Sequence, residues 1–138
     1  MTTPFRTTRR VEFADTDMAG IVHFANFFRY MEAAEVDFLL ARGMSVHMHW
    51  EGLGIGFPRV SASCDYLRPA RFGDMLTVSV MLEKVGSKSL TYAFEFTRDA
   101  ELIARGGLTC VCCRVNSDGS FVSVEVPAGL RERLRQES

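Results

Sequence analysis

The feature that most constrains the fold is a predicted helix with little surface left for solvent. The sequence predicts this helix from about Phe24 to Arg42, and Gly43 supplies the stop signal that commonly follows a helix C-terminus. At about 100° per residue its polar residues drift around the helix and do not form one solvent-facing stripe. They are Asn26, Arg29, Glu32, Glu35 and Asp37. Because apolar residues fill the other positions, we expect other elements to wrap around this helix.

The second half of the chain is rich in predicted strands. Apolar and polar residues alternate, as in a strand with one buried face, in three runs: 59–66, 76–83 and 90–97. A fourth run, 102–115, is apolar on both faces, which predicts either a central strand or one covered by a partner subunit. A first strand is predicted at 5–13 and a short helix after Pro127, whereas residues 43–58 are predicted to form a loop.

One long helix followed by antiparallel strands predicts an α+β fold, in which a curved antiparallel sheet wraps around the central helix. At 138 residues, a single domain spanning 1–138 is expected, with enough chain to bury a core. An apolar strand at the edge of such a sheet invites pairing with a second copy. We therefore expect a homodimer or a homotetramer.

Two acidic residues, Asp15 and Asp17, stand on a predicted tight turn, and Gly20 follows them just ahead of the helix. A helix N-terminus carries unpaired backbone N–H groups and about half a positive charge. Such groups can hold a carbonyl oxygen that is becoming negative while a carboxylate attacks the carbonyl carbon or activates water. The segment therefore predicts acyl-transfer chemistry.

The net charge of −1 argues against a general nucleic-acid or anionic-membrane binder. The first residues lack the apolar core of a signal peptide, and no run of about 18 apolar residues predicts a membrane span. The four cysteines lack a disulfide or metal spacing, so we expect a reduced, cytoplasmic protein. His47 and His49 have no carboxylate or thiolate at ligand spacing, so no metal site is predicted.

Three segments carry a family resemblance. They are Asp15-Thr-Asp-Met-Ala-Gly-Ile-Val22 with Asn26 and Glu32, then Cys64-Asp-Tyr-Leu-Arg-Pro-Ala-Arg-Phe-Gly-Asp74, and finally Lys88-Ser89. In this order they resemble the hotdog-fold acyl-CoA thioesterases, and most closely the 4-hydroxybenzoyl-CoA thioesterase-like group. The resemblance covers essentially the whole chain. It implies a hotdog fold and hydrolysis of an acyl-CoA to a carboxylic acid and free CoA.

The resemblance also implies roles for individual residues. Asp17 is the nucleophile or general base, and the backbone N–H of Phe24 meets the thioester carbonyl. Gly20 allows close approach of the backbone to the substrate, and Lys88 matches a position that contacts CoA phosphates. His23 stands where some relatives carry an aromatic residue. Each active site lies between two subunits, and no metal or redox cofactor is implied, since CoA is part of the substrate.

Each candidate also has an ordinary structural interpretation. Asp17 can serve the start of the helix, and Asp15 can hydrogen-bond a turn. His23 can carry a proton or pack at a subunit interface. Asn26 can hold the turn or line the acyl pocket. Glu32 is explained by an ion pair with the arginine three positions before it, or by a role in the site.

Two other functions compete with hydrolysis. A hydratase or dehydratase of the same fold acts on acyl thioesters with a histidine and a carboxylate, a pair that His23 and Asp17 could supply. A non-catalytic protein would bind acyl-CoA or serve as a scaffold. The sequence leaves the acyl group open among aryl, short and medium chains, and it does not separate the nucleophile from the general base.

Overall fold

The order of elements begins with one long helix and continues with a series of strands. In the computed structural model, which describes residues 3–136, β1 spans Phe5–Arg10 and a 3-10 turn spans Phe13–Asp15. Helix α1 spans Asn26–Leu40, within the predicted range, and α2 spans Ala128–Leu134, as predicted after Pro127. The other strands are β2 (His47–Trp50), β3 (Leu53–Gly56), β4 (Arg59–Tyr66), β5 (Met75–Val85), β6 (Ser89–Arg98), β7 (Glu101–Val111), β8 (Cys113–Val115) and β9 (Phe121–Ser123).

Five strands form an antiparallel sheet in the order β1-β5-β6-β7-β4, and a smaller antiparallel sheet has the order β2-β3-β8-β9. Strand β7 ends at Val111 and β8 begins at Cys113, so the chain passes from one sheet to the other at Cys112. The run predicted at 102–115 therefore serves both sheets. Its first part is a central strand, because β7 lies between β6 and β4.

The helix packs on the larger sheet, which confirms the predicted α+β architecture. The apolar residues of α1 that are buried are Phe27, Tyr30, Met31, Ala34, Phe38 and Leu39. Close packing depends on Gly106 of β7: a Cβ there would lie 2.6 Å from the Met31 sulfur and 3.0 Å from the Ser63 carbonyl oxygen. No helix in residues 3–136 is long and apolar enough to cross a membrane.

The expectation that α1 lacks a polar stripe is wrong. Its exposed or partly exposed polar residues share an arc of about 140° at about 100° per residue: Asn26, Arg29, Glu32 and Asp37. Glu35 alone departs from this arc and is 0% exposed. Its carboxylate accepts hydrogen bonds from both terminal nitrogens of Arg59, one of them at 3.2 Å. The ion pair with Arg59 explains why Glu35 can be buried outside the polar arc, and it was Glu35 that made the polar residues look scattered around the helix.

The expectation that β4 buries the side chains of Val60, Ala62, Cys64 and Tyr66 is wrong for this chain alone. Val60 is 62% exposed and Tyr66 is 45% exposed. The physical reason is that β4 is the last strand of its sheet and, within residues 3–136, pairs only with β7. The alternating pattern therefore marks an apolar face that this chain alone leaves open.

The segment predicted as a loop contains a short hairpin, so that expectation is also wrong. Strands β2 and β3 pair across a two-residue turn in which Glu51 has φ +51 and Gly52 has φ +83. Positive φ at both turn residues is characteristic of two-residue hairpin turns, because it matches the twist of the turn to the twist of the paired strands. The first strand is shorter than predicted, because the backbone leaves β1 after Arg10 and turns at Phe13–Asp15.

Candidate active site

A small hairpin presents the acidic segment. Thr16 and Val22 form a β-bridge, and inside it the Asp17 N–H donates to the Ile21 carbonyl at 2.8 Å. The Gly20 N–H donates back to the Asp17 carbonyl at 3.0 Å, and Gly20 has φ +80. A left-handed residue at this place completes a three-residue hairpin loop, and glycine adopts it without strain. Gly20 thus has a structural reason to be glycine whether or not substrate approaches it.

Asp15 anchors this hairpin from inside the protein. It is 8% exposed, and its Oδ2 accepts hydrogen bonds from the Tyr30 hydroxyl at 2.8 Å and the Glu12 N–H at 3.0 Å. Its carbonyl oxygen accepts from the His23 N–H at 2.9 Å and the Asn26 side-chain amide at 2.8 Å. Burial first, and then the hydrogen bond to Asp15, raise the pKa of Tyr30. Asp15 therefore ties the turn to helix α1.

Asp17 is placed differently, although only Thr16 separates it from Asp15. Its side chain is half-buried, and Oδ1 accepts a hydrogen bond from the Ala19 N–H at 2.8 Å. Its Oδ2 accepts none from any residue in 3–136, and Asp17 lines a cavity. One oxygen thus fixes the orientation of the carboxylate while the other is free to attack a ligand or to take a proton.

Phe24 lines the same cavity as Asp17 and lies just before helix α1 begins at Asn26. The N–H groups of Ala25 and Asn26 are occupied, since they donate to His23 Nδ1 at 3.2 Å and to the His23 carbonyl at 2.9 Å. The Phe24 N–H, in contrast, has no acceptor among residues 3–136. An unpaired backbone N–H at the entrance to a helix is the type of donor that stabilises a developing oxyanion.

The cavity that contains Asp17 has a volume of about 470 Å³ and is mostly apolar. Phe24, Phe27 and Tyr66 form an aromatic wall: the Tyr66 ring lies edge-on to Phe27 at 5.5 Å and to Phe24 at 6.4 Å between centroids. The other lining residues are Ile21, Val22, Leu67, Arg68, Pro69 and Ala70. The first two of the three sequence segments therefore meet in one site.

A charged network fixes the loop that forms the far side of the cavity. Asp74 Oδ2 accepts from the Arg71 N–H at 2.8 Å and from Arg98 Nη1 at 2.7 Å. Burial acts to raise the pKa of Asp74, but these two donors outweigh it and the pKa is lowered. Arg98 also donates to Glu101 at 2.8 Å, and Arg68 Nε lies 3.5 Å from the same carboxylate. Arg68 is thereby held at the cavity mouth.

Two predicted site residues lie next to the cavity without lining it. His23 is exposed; its ring stacks on Phe24 at 4.7 Å between centroids, and its Nδ1 accepts from the Ala25 N–H. The Asn26 side-chain amide donates a hydrogen bond to the Asp15 carbonyl oxygen. The structure therefore places both in the support of the turn, and their predicted contacts with substrate stay predictions.

Lys88 lies far from the cavity of its own protomer. It is exposed on the turn before β6, where Ser89 pairs with Val111, whereas the cavity lies at the end of the sheet where Phe96 pairs with Ala104. Seven residues of strand separate the two ends, which is about 23 Å at 3.3 Å per residue. Lys88 can meet a ligand of this cavity only across that distance or in the site of another subunit.

The remaining candidates are separate from the site. Among residues 3–136, Glu32 forms no ion pair with Arg29, contrary to the interpretation of their spacing. No group of three or more His, Cys, Asp or Glu side chains in the described part of the chain is arranged to hold a metal ion. His47 and His49 lie on β2, outside the cavity lining.

Sequence reasoning missed Tyr66 as a site residue. Its hydroxyl donates to the Phe24 carbonyl at 2.9 Å, and its ring is part of the cavity wall. The signal was present in the segment 64–74, which carried part of the family resemblance. The strand pattern assigned Tyr66 to a buried face, and only the three-dimensional structure shows that the end of β4 lies against Phe24.

Comparisons with known proteins find relatives over most of the chain. A family model described as the thioesterase-like superfamily matches residues 11–134. A 1,4-dihydroxy-2-naphthoyl-CoA hydrolase of Nostoc punctiforme is 33% identical over 113 residues, which are 82% of this chain and 76% of that protein. A 4-hydroxybenzoyl-CoA thioesterase of Pseudomonas sp. strain CBS-3 is 28% identical over 128 residues, which are 87% and 89% of the two proteins. A solved structure of that thioesterase matches with a TM-score of 0.81 at 25% identity, over 94% of this chain and 98% of the other.

Proposed function

Because the chain belongs to the thioesterase-like superfamily and is a hydrolase of acyl-CoA thioesters, we propose that Asp17 and the Phe24 N–H perform this hydrolysis. The hotdog fold that the sequence resemblance implied is confirmed. One observation carries the proposal: Asp17, with one carboxylate oxygen unpaired within residues 3–136, and Phe24, whose backbone N–H has no acceptor in that range, line the same mostly apolar cavity.

In the proposed reaction, the thioester carbonyl oxygen accepts a hydrogen bond from the Phe24 N–H. Loss of one such donor costs about 3 kcal/mol of transition-state stabilisation in other acyl-transfer enzymes. Asp17 Oδ2 either attacks the carbonyl carbon or takes a proton from a water that attacks it. Attack by Asp17 forms a mixed anhydride as CoA leaves as a thiolate, and water then releases the acid. The two groups suffice without a metal or redox cofactor.

These two routes differ in the fate of oxygen. When Asp17 is the nucleophile, a single turnover in H₂¹⁸O places the heavy label in the Asp17 carboxylate if water attacks the Asp17 carbon of the mixed anhydride, and in the released acid if water attacks the acyl carbon. When Asp17 is a general base, all of the label enters the released acid and none enters the protein. Label found by mass spectrometry in the peptide that contains residues 11–29 therefore identifies Asp17 as the nucleophile, whereas an unlabelled peptide is the result that a general base predicts.

The acyl group that best fits the cavity is aromatic. The walls contributed by Phe24, Phe27 and Tyr66 present ring edges and faces, with which another ring packs favourably. The relatives whose names state an acyl group, a 1,4-dihydroxy-2-naphthoyl-CoA hydrolase and a 4-hydroxybenzoyl-CoA thioesterase, act on aromatic acyl-CoAs. We therefore propose an aromatic acyl-CoA as substrate.

We further propose a homodimer or homotetramer with shared sites. The open apolar face of β4, with Val60 at 62% exposure, lies beside exposed Phe24 and Leu67 at the cavity. An unpaired strand edge next to such a face favours association of two copies. Sharing would also bring Lys88 of one chain to the CoA phosphates bound by another. The four free cysteines support a cytoplasmic location.

The decisive experiment measures thiol release with DTNB across benzoyl-, 4-hydroxybenzoyl-, hexanoyl- and acetyl-CoA. We expect turnover, with the largest kcat/KM for the aromatic substrates. Turnover confined to aliphatic substrates would refute the aromatic proposal, and loss of the enoyl double bond of crotonyl-CoA, tested as a fifth substrate, without thiol release would indicate hydratase chemistry. Tight binding without any turnover would identify a binding protein. The position of His23 favours neither the hydratase nor the binding protein, because its Nδ1 accepts a hydrogen bond from the Ala25 N–H and its ring is not part of the cavity lining.

A further inference from the structure

A single side-chain hydrogen bond links the end of β4 to the residue just before helix α1. The Tyr66 hydroxyl donates to the Phe24 carbonyl oxygen at 2.9 Å, across 42 positions of sequence. We propose that Tyr66 is a positioning residue, which holds the Phe24 segment so that its N–H points at the thioester carbonyl. The inference rests on the proposed role of the Phe24 N–H and extends it to a residue that need not touch the reacting atoms.

The peptide that carries the Phe24 N–H is held on one side, because the His23 carbonyl accepts from the Asn26 N–H at 2.9 Å, but the peptide that follows it has weaker backbone support. Phe24 lies outside helix α1, its side chain is 62% exposed, and its N–H is unpaired within residues 3–136. Within the backbone, its carbonyl accepts only a long hydrogen bond from the Phe27 N–H, at 3.4 Å. A donor stabilises an oxyanion well only when its geometry is fixed before the reaction, so a movable Phe24 peptide would lose part of its effect.

Tyr66 is itself rigidly placed. It pairs with Ala104 in the sheet, and the next two N–H groups, of Leu67 and Arg68, both donate to the Ile103 carbonyl at 2.9 and 3.0 Å. Its ring packs edge-on against buried Phe27. Burial first, and then Cys64, raise the pKa of Tyr66, so its hydroxyl is protonated and can donate at neutral pH. The hydrogen bond therefore transfers the rigidity of the sheet to the loop.

The test compares tyrosine-to-phenylalanine variants, which remove one hydroxyl and nothing else. In Tyr66→Phe we expect kcat to fall about tenfold, while KM stays within about twofold of the wild-type value. The fall in kcat is smaller than the hundredfold that a misplacement of about 1 Å can cost. The matched control is Tyr92→Phe, because the Tyr92 hydroxyl is buried and has no partner within residues 3–136. The control should retain wild-type kcat and KM.

A second measurement tests the positioning without reference to activity. The Ala25 and Asn26 amides follow Phe24 and are hydrogen-bonded to His23, so their hydrogen exchange reports how firmly this segment is held. Exchange of both should be faster by at least about threefold in Tyr66→Phe and unchanged in Tyr92→Phe, with exchange in the β6 and β7 strands equal in all three proteins.

Three results would overturn the inference. They are unchanged exchange at Ala25 and Asn26, a wild-type kcat in Tyr66→Phe, and a raised KM with unchanged kcat, which would make Tyr66 a substrate contact. A wild-type protein that releases no thiol from any acyl-CoA refutes the proposed function instead. In that case the exchange measurement still decides whether Tyr66 holds Phe24.

Discussion

Asp15 and Asp17 belong to one short turn, yet their surroundings are opposite. Asp15 is 8% exposed, and its Oδ2 and its carbonyl oxygen each accept two hydrogen bonds. Asp17 is half-buried beside an apolar cavity and keeps one carboxylate oxygen unpaired within residues 3–136. The first arrangement uses a carboxylate to hold structure together. The second leaves a charged oxygen available to a ligand.

The difference teaches that sequence position does not determine what an acidic residue does. A buried carboxylate is stable only when it is hydrogen-bonded, and the Asp15 carboxylate accepts two hydrogen bonds, both at Oδ2, from the Tyr30 hydroxyl and the Glu12 N–H. The Asp17 carboxylate accepts only one hydrogen bond within residues 3–136, at Oδ1, from the Ala19 N–H of its own hairpin. Stability and reactivity are thus divided between two acids that share a loop, and each can be altered separately.

The largest expected effect comes from Asp17→Asn. The amide keeps the shape of the side chain and can still accept from Ala19, but it lacks the basic oxygen. We expect kcat to fall at least about a hundredfold, with little change in KM or melting temperature. The matched variant is Asp15→Asn, which should lower the melting temperature more than it lowers kcat. Steady-state kinetics and thermal unfolding of both proteins provide the measurement.

The opposite pattern would show that the roles assigned to Asp15 and Asp17 are reversed. If Asp15→Asn abolishes turnover at unchanged stability while Asp17→Asn remains active, then the buried acid carries the chemistry. The proposed site would then have to be rebuilt around Tyr30 and Glu12, which are the partners of Asp15.

The next largest effect is expected from Tyr30→Phe, which changes the surroundings of Asp15 and leaves those of Asp17 intact. Removing this hydroxyl deprives the buried Asp15 oxygen of one of its two donors. The free energy of unfolding should fall by about 1–3 kcal/mol, the usual cost of leaving a buried polar group short of a partner. Urea denaturation measures it, and kcat of the folded protein should change much less. An unchanged stability would show that water replaces the hydroxyl.

The sequence predicted most of the fold, because its strongest patterns are local. The alternation at 76–83 and 90–97, the stop at Gly43 and the break at Pro127 all match observed elements. The short hairpin β2–β3 escaped prediction because His47–Trp50 and Leu53–Gly56 are four residues each and lack a β-branched alternation. Positive φ at Glu51 and Gly52 is not visible in the sequence.

The candidate site was predictable where its residues are adjacent in sequence. Asp17, Gly20 and Phe24 lie in one segment, and the family resemblance singled them out together. The contacts that give Asp15 a different role from Asp17 involve residues that are distant in sequence, such as Tyr30. The hydrogen bonds from Tyr66 to Phe24 and from Arg59 to Glu35 also join distant parts of the chain. Pairing over such separations depends on how helix and sheet pack, and no local pattern encodes it.

Glu35 extends the comparison to a carboxylate buried even more deeply than Asp15. Burial raises its pKa above the ordinary value of 4.5, although Arg59 opposes the shift. The folded protein therefore holds this proton more tightly than the unfolded chain. The stabilisation that results is fully present below about pH 4.5 and is lost as the pH rises through the folded-state pKa.

We test this with Glu35→Gln, which cannot ionise. The free energy of unfolding of the wild type minus that of Glu35→Gln should fall as the pH rises above 4.5, by at most about 1.4 kcal/mol per pH unit. A difference that grows with pH would mean that the ion pair with Arg59 outweighs the cost of burial.

The smallest expected effect concerns Lys88, which lies at the opposite end of the sheet from Asp17. If it binds CoA phosphates in a site shared between subunits, Lys88→Ala should raise KM for acyl-CoA several-fold and leave kcat nearly unchanged, since the contact is equal in ground and transition states. The other lysine of the chain, Lys84, is exposed on the same β5–β6 hairpin, and Lys84→Ala is the matched control. The Lys88→Ala defect should disappear with an acyl-pantetheine substrate, which has no nucleotide. An equal defect on both substrates, or an equal effect of Lys84→Ala, would show that Lys88 does not recognise the phosphates and that the binding surface lies nearer to Arg68 at the cavity mouth.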